Sequence, residues 1–88
     1  MNYEQVKEKV LDLISRGTSG IGTEKCLPHE IEMTDTLRDS LGYDSFDTLE
    51  LIFNLEREFR IAIPDDNIDA LSDATVEYVI NYVWEKVR

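Results

Sequence analysis

The chain is predicted to fold as an all-α, four-helix bundle of three long helices and one short one, with a long loop after the first helix. Three observations carry this. Apolar residues recur at three- and four-residue spacing in three separate stretches, the pattern of helices that each bury one face. Glycine, proline and capping residues fall at the ends of those stretches. No stretch alternates apolar and polar residues long enough to build a sheet. At 88 residues the chain suits a single domain, residues 1–88, with one modest core and no deep active site.

The first helix is expected over residues 3–15, where Tyr3, Val6, Val10, Leu13 and Ile14 form an apolar stripe between charged residues. "RGTSGIG", with three glycines in seven residues, is expected to end it and open the long connection. Within that connection "MTDTLRDSLG" reads as a short helical turn, capped by Thr34 or Asp35 and ended by Gly42. The second long helix begins near Asp44-Ser45 and runs to about Phe59. Leu49, Ile52, Leu55 and Phe59 mark its buried stripe, Leu51 widens it, and Asp47, Glu50, Asn54 and Arg57 lie away from it. "IAIP" follows as an extended bend, because Pro64 disfavours helix at Ile63. "DDNIDAL" reads as the short third helix. Val76, Val79, Ile80, Val83 and Val87 mark the last one, capped by Asp73 or Thr75. The stripes share one core.

Charged residues make up 32% of the chain and hydrophobic ones 42%, a balance that favours folding over disorder. The net charge of −10 argues against nucleic acid or an anionic membrane as a partner. The charge is uneven. Residues 44–77 hold ten acids against two bases, a net −8 in well under half the chain. A one-sided field steers association more than it stabilises a fold, so it points to docking on basic surfaces. Cys26 is the only cysteine, which fits a reducing compartment. The N-terminal segment lacks a signal-like apolar run, and no stretch has the length of a membrane span. A cytoplasmic monomer is expected.

Two arrangements with chemical potential are set aside. Cys26 and His29, in "CLPH", are too few for a closed zinc site and read as a surface loop. Asp65, Asn67 and Asp69 alternate like calcium ligands, but Ala70 stands where the loop needs glycine and Val76 where it needs glutamate. No metal site and no catalytic residue is expected, and a lone histidine with no partnered serine gives no triad.

"DSLGYDSF" repeats an Asp-Ser pair five positions apart, at Asp39-Ser40 and Asp44-Ser45. A serine that accepts a phosphodiester must be exposed where new negative charge is welcome. A helix N-terminus offers free N–H groups and the positive end of the dipole; a C-terminus offers the reverse. Ser40 closes a short turn and Ser45 opens a long helix, which favours Ser45. The commonest role of a serine there is N-cap, so the residues alone leave both roles open.

The segment "LGYDSFDTLELIFNLEREFRIAIPDD" resembles the core of an acyl carrier protein. In that family a Gly-x-Asp-Ser-Leu motif opens the second helix, followed by an acidic and apolar helix, a Glu-x-x-Phe and an Ile-Pro-Asp turn. Here these stand as Gly42-Tyr43-Asp44-Ser45-Phe46, Asp47-Thr48-Leu49-Glu50-Leu51, Glu56-Arg57-Glu58-Phe59 and Ile63-Pro64-Asp65. The first helix and "TVEYVINYV" are similar to the family's first and last helices, so the resemblance spans nearly the whole chain.

The resemblance implies a carrier without catalytic activity, with Ser45 bearing 4′-phosphopantetheine derived from coenzyme A. It implies that Asp44, Asp47, Glu50 and Glu56 form an acidic recognition face, with Phe46 and Phe53 as apolar contacts. The implied partners are a phosphopantetheinyl transferase and acyl-transferring, condensing or acyl-activating enzymes with basic docking patches. Fatty-acid, polyketide or related acyl transfer is the implied setting. Phe46 replaces the usual leucine, Arg57 stands where the family generally has an acid, and the loop with "GTSGIG" is longer than typical. These departures suggest a specialised member. The aspartate before the serine argues against the aminoacyl carriers of peptide synthetases. The competing class is an acidic helical interaction module with no covalent group.

Overall fold

In the computed structural model, which describes residues 2–18, 28–64 and 68–88, every predicted amphipathic stretch is a helix. The helices are α1 (Tyr3–Thr18), α2 (Ser45–Phe59), α3 (Ile68–Ser72) and α4 (Val76–Val87), with a 3-10 turn at Pro28–Glu30. Among the described residues there is no strand, only an isolated bridge between Thr36 and Thr75. None of the described helices is long and apolar enough to cross a membrane.

α1 starts on a reciprocal cap. The Asn2 side chain accepts from the Gln5 N–H and the Gln5 side chain from the Asn2 N–H, both at 2.9 Å. It then runs past the predicted end at residue 15, through Gly17 to Thr18. The reason is tertiary. A Cβ at Gly17 would lie 2.0 Å from the Tyr43 hydroxyl, so this glycine serves a close approach while remaining helical. Residues 19–22 of the glycine-rich stretch lie outside the described residues, as do Cys26, Asp65 and Asn67; His29 is exposed in the 3-10 turn.

The short helical turn predicted in "MTDTLRDSLG" is present as a hydrogen-bonded turn. Its cap is Thr36, not Thr34 or Asp35: the Thr36 hydroxyl accepts from the N–H groups of Asp39 and Ser40, each at 3.2 Å. The Asp35 carboxylate accepts from the Glu32 N–H at 2.9 Å, which takes it away from that turn. Gly42, at φ 74°, ends the turn as predicted. The same segment is fastened to the start of α4. The Val76 N–H donates to the Asp35 carbonyl at 2.7 Å and the Glu77 N–H to the Met33 carbonyl at 3.1 Å. With Thr75 accepting from the Tyr78 N–H, these bonds satisfy the first donors of α4.

The core draws Val6, Val10 and Ile14 from α1, Leu51, Ile52, Leu55 and Phe59 from α2, and Val76, Val79, Ile80 and Val83 from α4. The connections add Ile31, Leu37, Leu41, Tyr43 and Ile63. Two buried hydroxyls find local carbonyls, Ser15 that of Asp12 at 2.8 Å and Thr48 that of Asp44 at 3.0 Å. Leu49, placed on the buried stripe by its spacing, is only partly buried and stands outside the core; Thr48 takes the inward position instead. α2 ends on Arg60 in the left-handed region at φ 55°, with the Arg60 and Ile61 N–H groups closing on the Glu56 carbonyl. Lys9 donates to Glu58 across α1 and α2, and this hydrogen bond and charge hold the Glu58 carboxyl below its ordinary range. Both groups are exposed, so the pair contributes little stability.

Candidate functional site

Asp44, with extended backbone, is the N-cap of α2, and Ser45 is the first helical residue. The Asp44 carboxylate accepts from the Asp47 N–H at 2.8 Å, and the Asp47 carboxylate accepts from the Asp44 N–H at 3.3 Å. This capping box satisfies two terminal donors without the serine. Ser45 is exposed, and its hydroxyl makes no hydrogen bond among the described residues. Ser40 is also exposed but differently placed. Its hydroxyl accepts from the Thr36 N–H at 3.0 Å and its own N–H donates to the Thr36 carbonyl at 3.1 Å. One serine is part of a turn, and the other is free of structural duty. The Asp44 cap carries a measurable share of stability. Asp44→Ala should lower Tm by roughly 4–8 °C, the effect of about 1 kcal/mol in a domain of this size, measured by thermal circular dichroism.

Tyr43, two residues before Ser45, is 2% exposed. Its hydroxyl donates to the Ile14 carbonyl at 2.6 Å and its N–H to the Leu37 carbonyl at 2.8 Å. Burial first, then the carboxylates of Asp47 and Glu50, push the phenol well above its ordinary pKa, so it stays protonated as a donor. An aromatic in a short connection carries no periodic signal, so the sequence alone gives Tyr43 no role.

The residues expected to form the acidic face divide in the structure. Phe46, Glu50 and Phe53 are exposed and follow one another at helical spacing, Phe46 being 71% and Phe53 60% exposed. Arg57, four residues beyond Phe53, continues this ridge and donates to the Asn54 side chain at 3.0 Å. Partly exposed Leu49, three residues from Phe46 and four from Phe53, broadens the apolar strip. Asp44 and Asp47 are engaged in the capping box, and Asp47 is half-buried. Glu56 turns toward the chain after α2, where its carboxylate accepts from the Ile63 N–H at 3.0 Å. Among the described residues no group of side chains could hold a metal ion.

This arrangement suits covalent attachment to an exposed hydroxyl beside an exposed helical ridge. Donors at the start of α2 favour an anion there, and the ridge begins one residue away. Residues 22–83 match the family described as "Phosphopantetheine attachment site". The chain is 41% identical over 86 residues to an acyl carrier protein of Chlorobium phaeobacteroides (strain DSM 266 / SMG 266 / 2430), covering 98% of this chain and 100% of that one. It is 38% identical over 88 residues to the acyl carrier protein of Chloroherpeton thalassium (strain ATCC 35110 / GB-78), with both chains fully covered.

Proposed function

The chain belongs to the acyl carrier protein family, and from this premise we propose that Ser45 is the residue that takes 4′-phosphopantetheine. The observation that carries this is the exposed, unbonded hydroxyl at the first position of α2, released from capping by Asp44. When bound, the group supplies a terminal thiol that holds an acyl chain as a thioester for fatty-acid or related biosynthesis. Ser45 gives its proton to a separate transferase. Ser45 Oγ would hold the group as a phosphodiester, with the adenosine 3′,5′-bisphosphate half of coenzyme A leaving as the diphosphate P–O bond breaks. The α2 N-terminus offsets part of the charge left on the diester, while Asp44 and Asp47 keep the surroundings negative. The chain acts as a cytoplasmic monomeric carrier and not as a catalyst.

The partners on this reading are the transferase and acyl-transferring, condensing or acyl-activating enzymes. The ridge Phe46–Glu50–Phe53–Arg57 calls for an apolar slot flanked by a basic group, with an acidic group at the end far from Ser45. The two phenylalanines and the terminal cation narrow that set of partners and mark a specialised carrier. Incubation with coenzyme A and a promiscuous phosphopantetheinyl transferase should add one phosphopantetheine to the intact mass. An unchanged mass would leave the acidic interaction module as the function. For the docking face, Glu50→Lys should slow loading about tenfold at low salt, and Glu30→Lys far less, with the gap closing as salt rises. Initial rates across a salt series measure this, and equal slowing by both variants would show that only net charge matters.

A further inference from the structure

We infer that Tyr43 is a positioning residue for the attachment turn: seated against Gly17 and bonded to the Ile14 carbonyl, it fixes where Ser45 stands relative to α1. The inference rests on the reading that Ser45 takes the arm. Gly42 breaks the chain just before the site with a left-handed φ of 74°, so the next residues would be free to pivot without an anchor. Tyr43 supplies that anchor at two levels. Its N–H is tied to the Leu37 carbonyl at 2.8 Å, within the turn. Its hydroxyl is tied at 2.6 Å to a carbonyl 29 residues earlier, in α1. A buried anchor therefore lies two residues from the exposed hydroxyl, with the Asp44 capping box between them.

Gly17 makes the seat specific. Glycine is a poor residue for a helix, so its presence in α1 calls for a reason. A Cβ there would lie 2.0 Å from the Tyr43 hydroxyl and 2.8 Å from the ring carbon that bears it. Any side chain at position 17 must displace the ring. A phenylalanine at position 43 would fill the space but lose the bond that sets its depth. Glycine and phenol are thus two halves of one joint between α1 and the attachment turn. A partner bound on the α2 ridge then meets Ser45 at one place rather than several.

The test compares Tyr43→Phe, Gly17→Ala and wild type in transferase loading and in amide hydrogen exchange of the unmodified proteins. Loading should lose about fivefold in kcat for Tyr43→Phe, the worth of one hydrogen bond. Gly17→Ala should lose on the order of ten- to a hundredfold, since the whole turn shifts. In both, KM for the carrier should stay near wild type, because the docking ridge is untouched. Alanine is the better helix former, so a loss in Gly17→Ala comes from the displaced ring and not from a weaker α1. Exchange at the Tyr43 amide should rise severalfold, while that of Val83 in α4 stays unchanged. Wild-type kcat in both folded variants would overturn the inference, as would a rise in KM alone. Should Gly17→Ala fail to fold, the nearly isosteric Tyr43→Phe decides. A wild type that loads at another residue would remove the attachment reading; exchange, which needs no transferase, would still decide whether Tyr43 anchors the turn.

Discussion

Ser45→Ala is expected to abolish loading entirely while leaving the fold unchanged, and Ser40→Ala is expected to do the reverse. The Ser45 hydroxyl bonds nothing among the described residues, and the α2 cap belongs to Asp44, so alanine at the first helical position removes only the nucleophile. Helix content and Tm should match wild type, and the intact mass after incubation with coenzyme A and transferase should stay that of the unmodified chain. Ser40→Ala removes the acceptor of the Thr36 N–H and should cost about 1 kcal/mol, yet load at a rate close to wild type. A single variant that lost both stability and loading would say little. The crossed pair separates the serine that holds a turn from the one that accepts a group. Loading retained in Ser45→Ala and lost in Ser40→Ala would reverse the assignment.

Much of this was legible in the residues, and what was not has a common cause. Periodicity located α1, α2 and α4, because burial of one helical face leaves a local signature. Gly42 was legible as the break between two serines of opposite helical position. The extension of α1 to Thr18 was not, because the partner that explains Gly17 is Tyr43, far along the chain. Thr36 in place of Thr34 or Asp35 was likewise hidden, since Asp35 is drawn off by the Glu32 N–H and by the strap to α4. Glu56 looked like surface acid by spacing, yet its carboxylate holds the Ile63 N–H. Composition gave the charge, and geometry decided which carboxylates remain available: Glu50 stands on the exposed ridge, while Asp44, Asp47 and Glu56 are engaged in local structure.

Leu55→Ala and Leu49→Ala should part sharply, although both leucines lie on α2 at helical spacing. Leu55 is 1% exposed within the shared core, so its truncation leaves a cavity that its neighbours cannot fully close. The expected cost is about 2–5 kcal/mol. Domains of this size hold roughly 5–15 kcal/mol in all, and about 1 kcal/mol moves Tm by 4–8 °C, so a fall of roughly 10–30 °C is expected. The surplus of acids from 44 to 77 sets the chain against its own compaction, so low salt should add a further loss of Tm that is common to wild type and variant. Salt near 1 M shortens the screening length to about 3 Å and should recover part of it. Leu49 stands outside the core, and its truncation should cost under about 1 kcal/mol. On the docking role proposed for this ridge, the truncation narrows the strip between Phe46 and Phe53, so KM for loading should rise with Tm nearly unchanged. Thermal and urea unfolding at two salt concentrations, with loading kinetics on the same samples, give both readouts. Equal destabilisation by the two variants would place Leu49 in the core after all, and the apolar docking strip would then consist of the two phenylalanines alone.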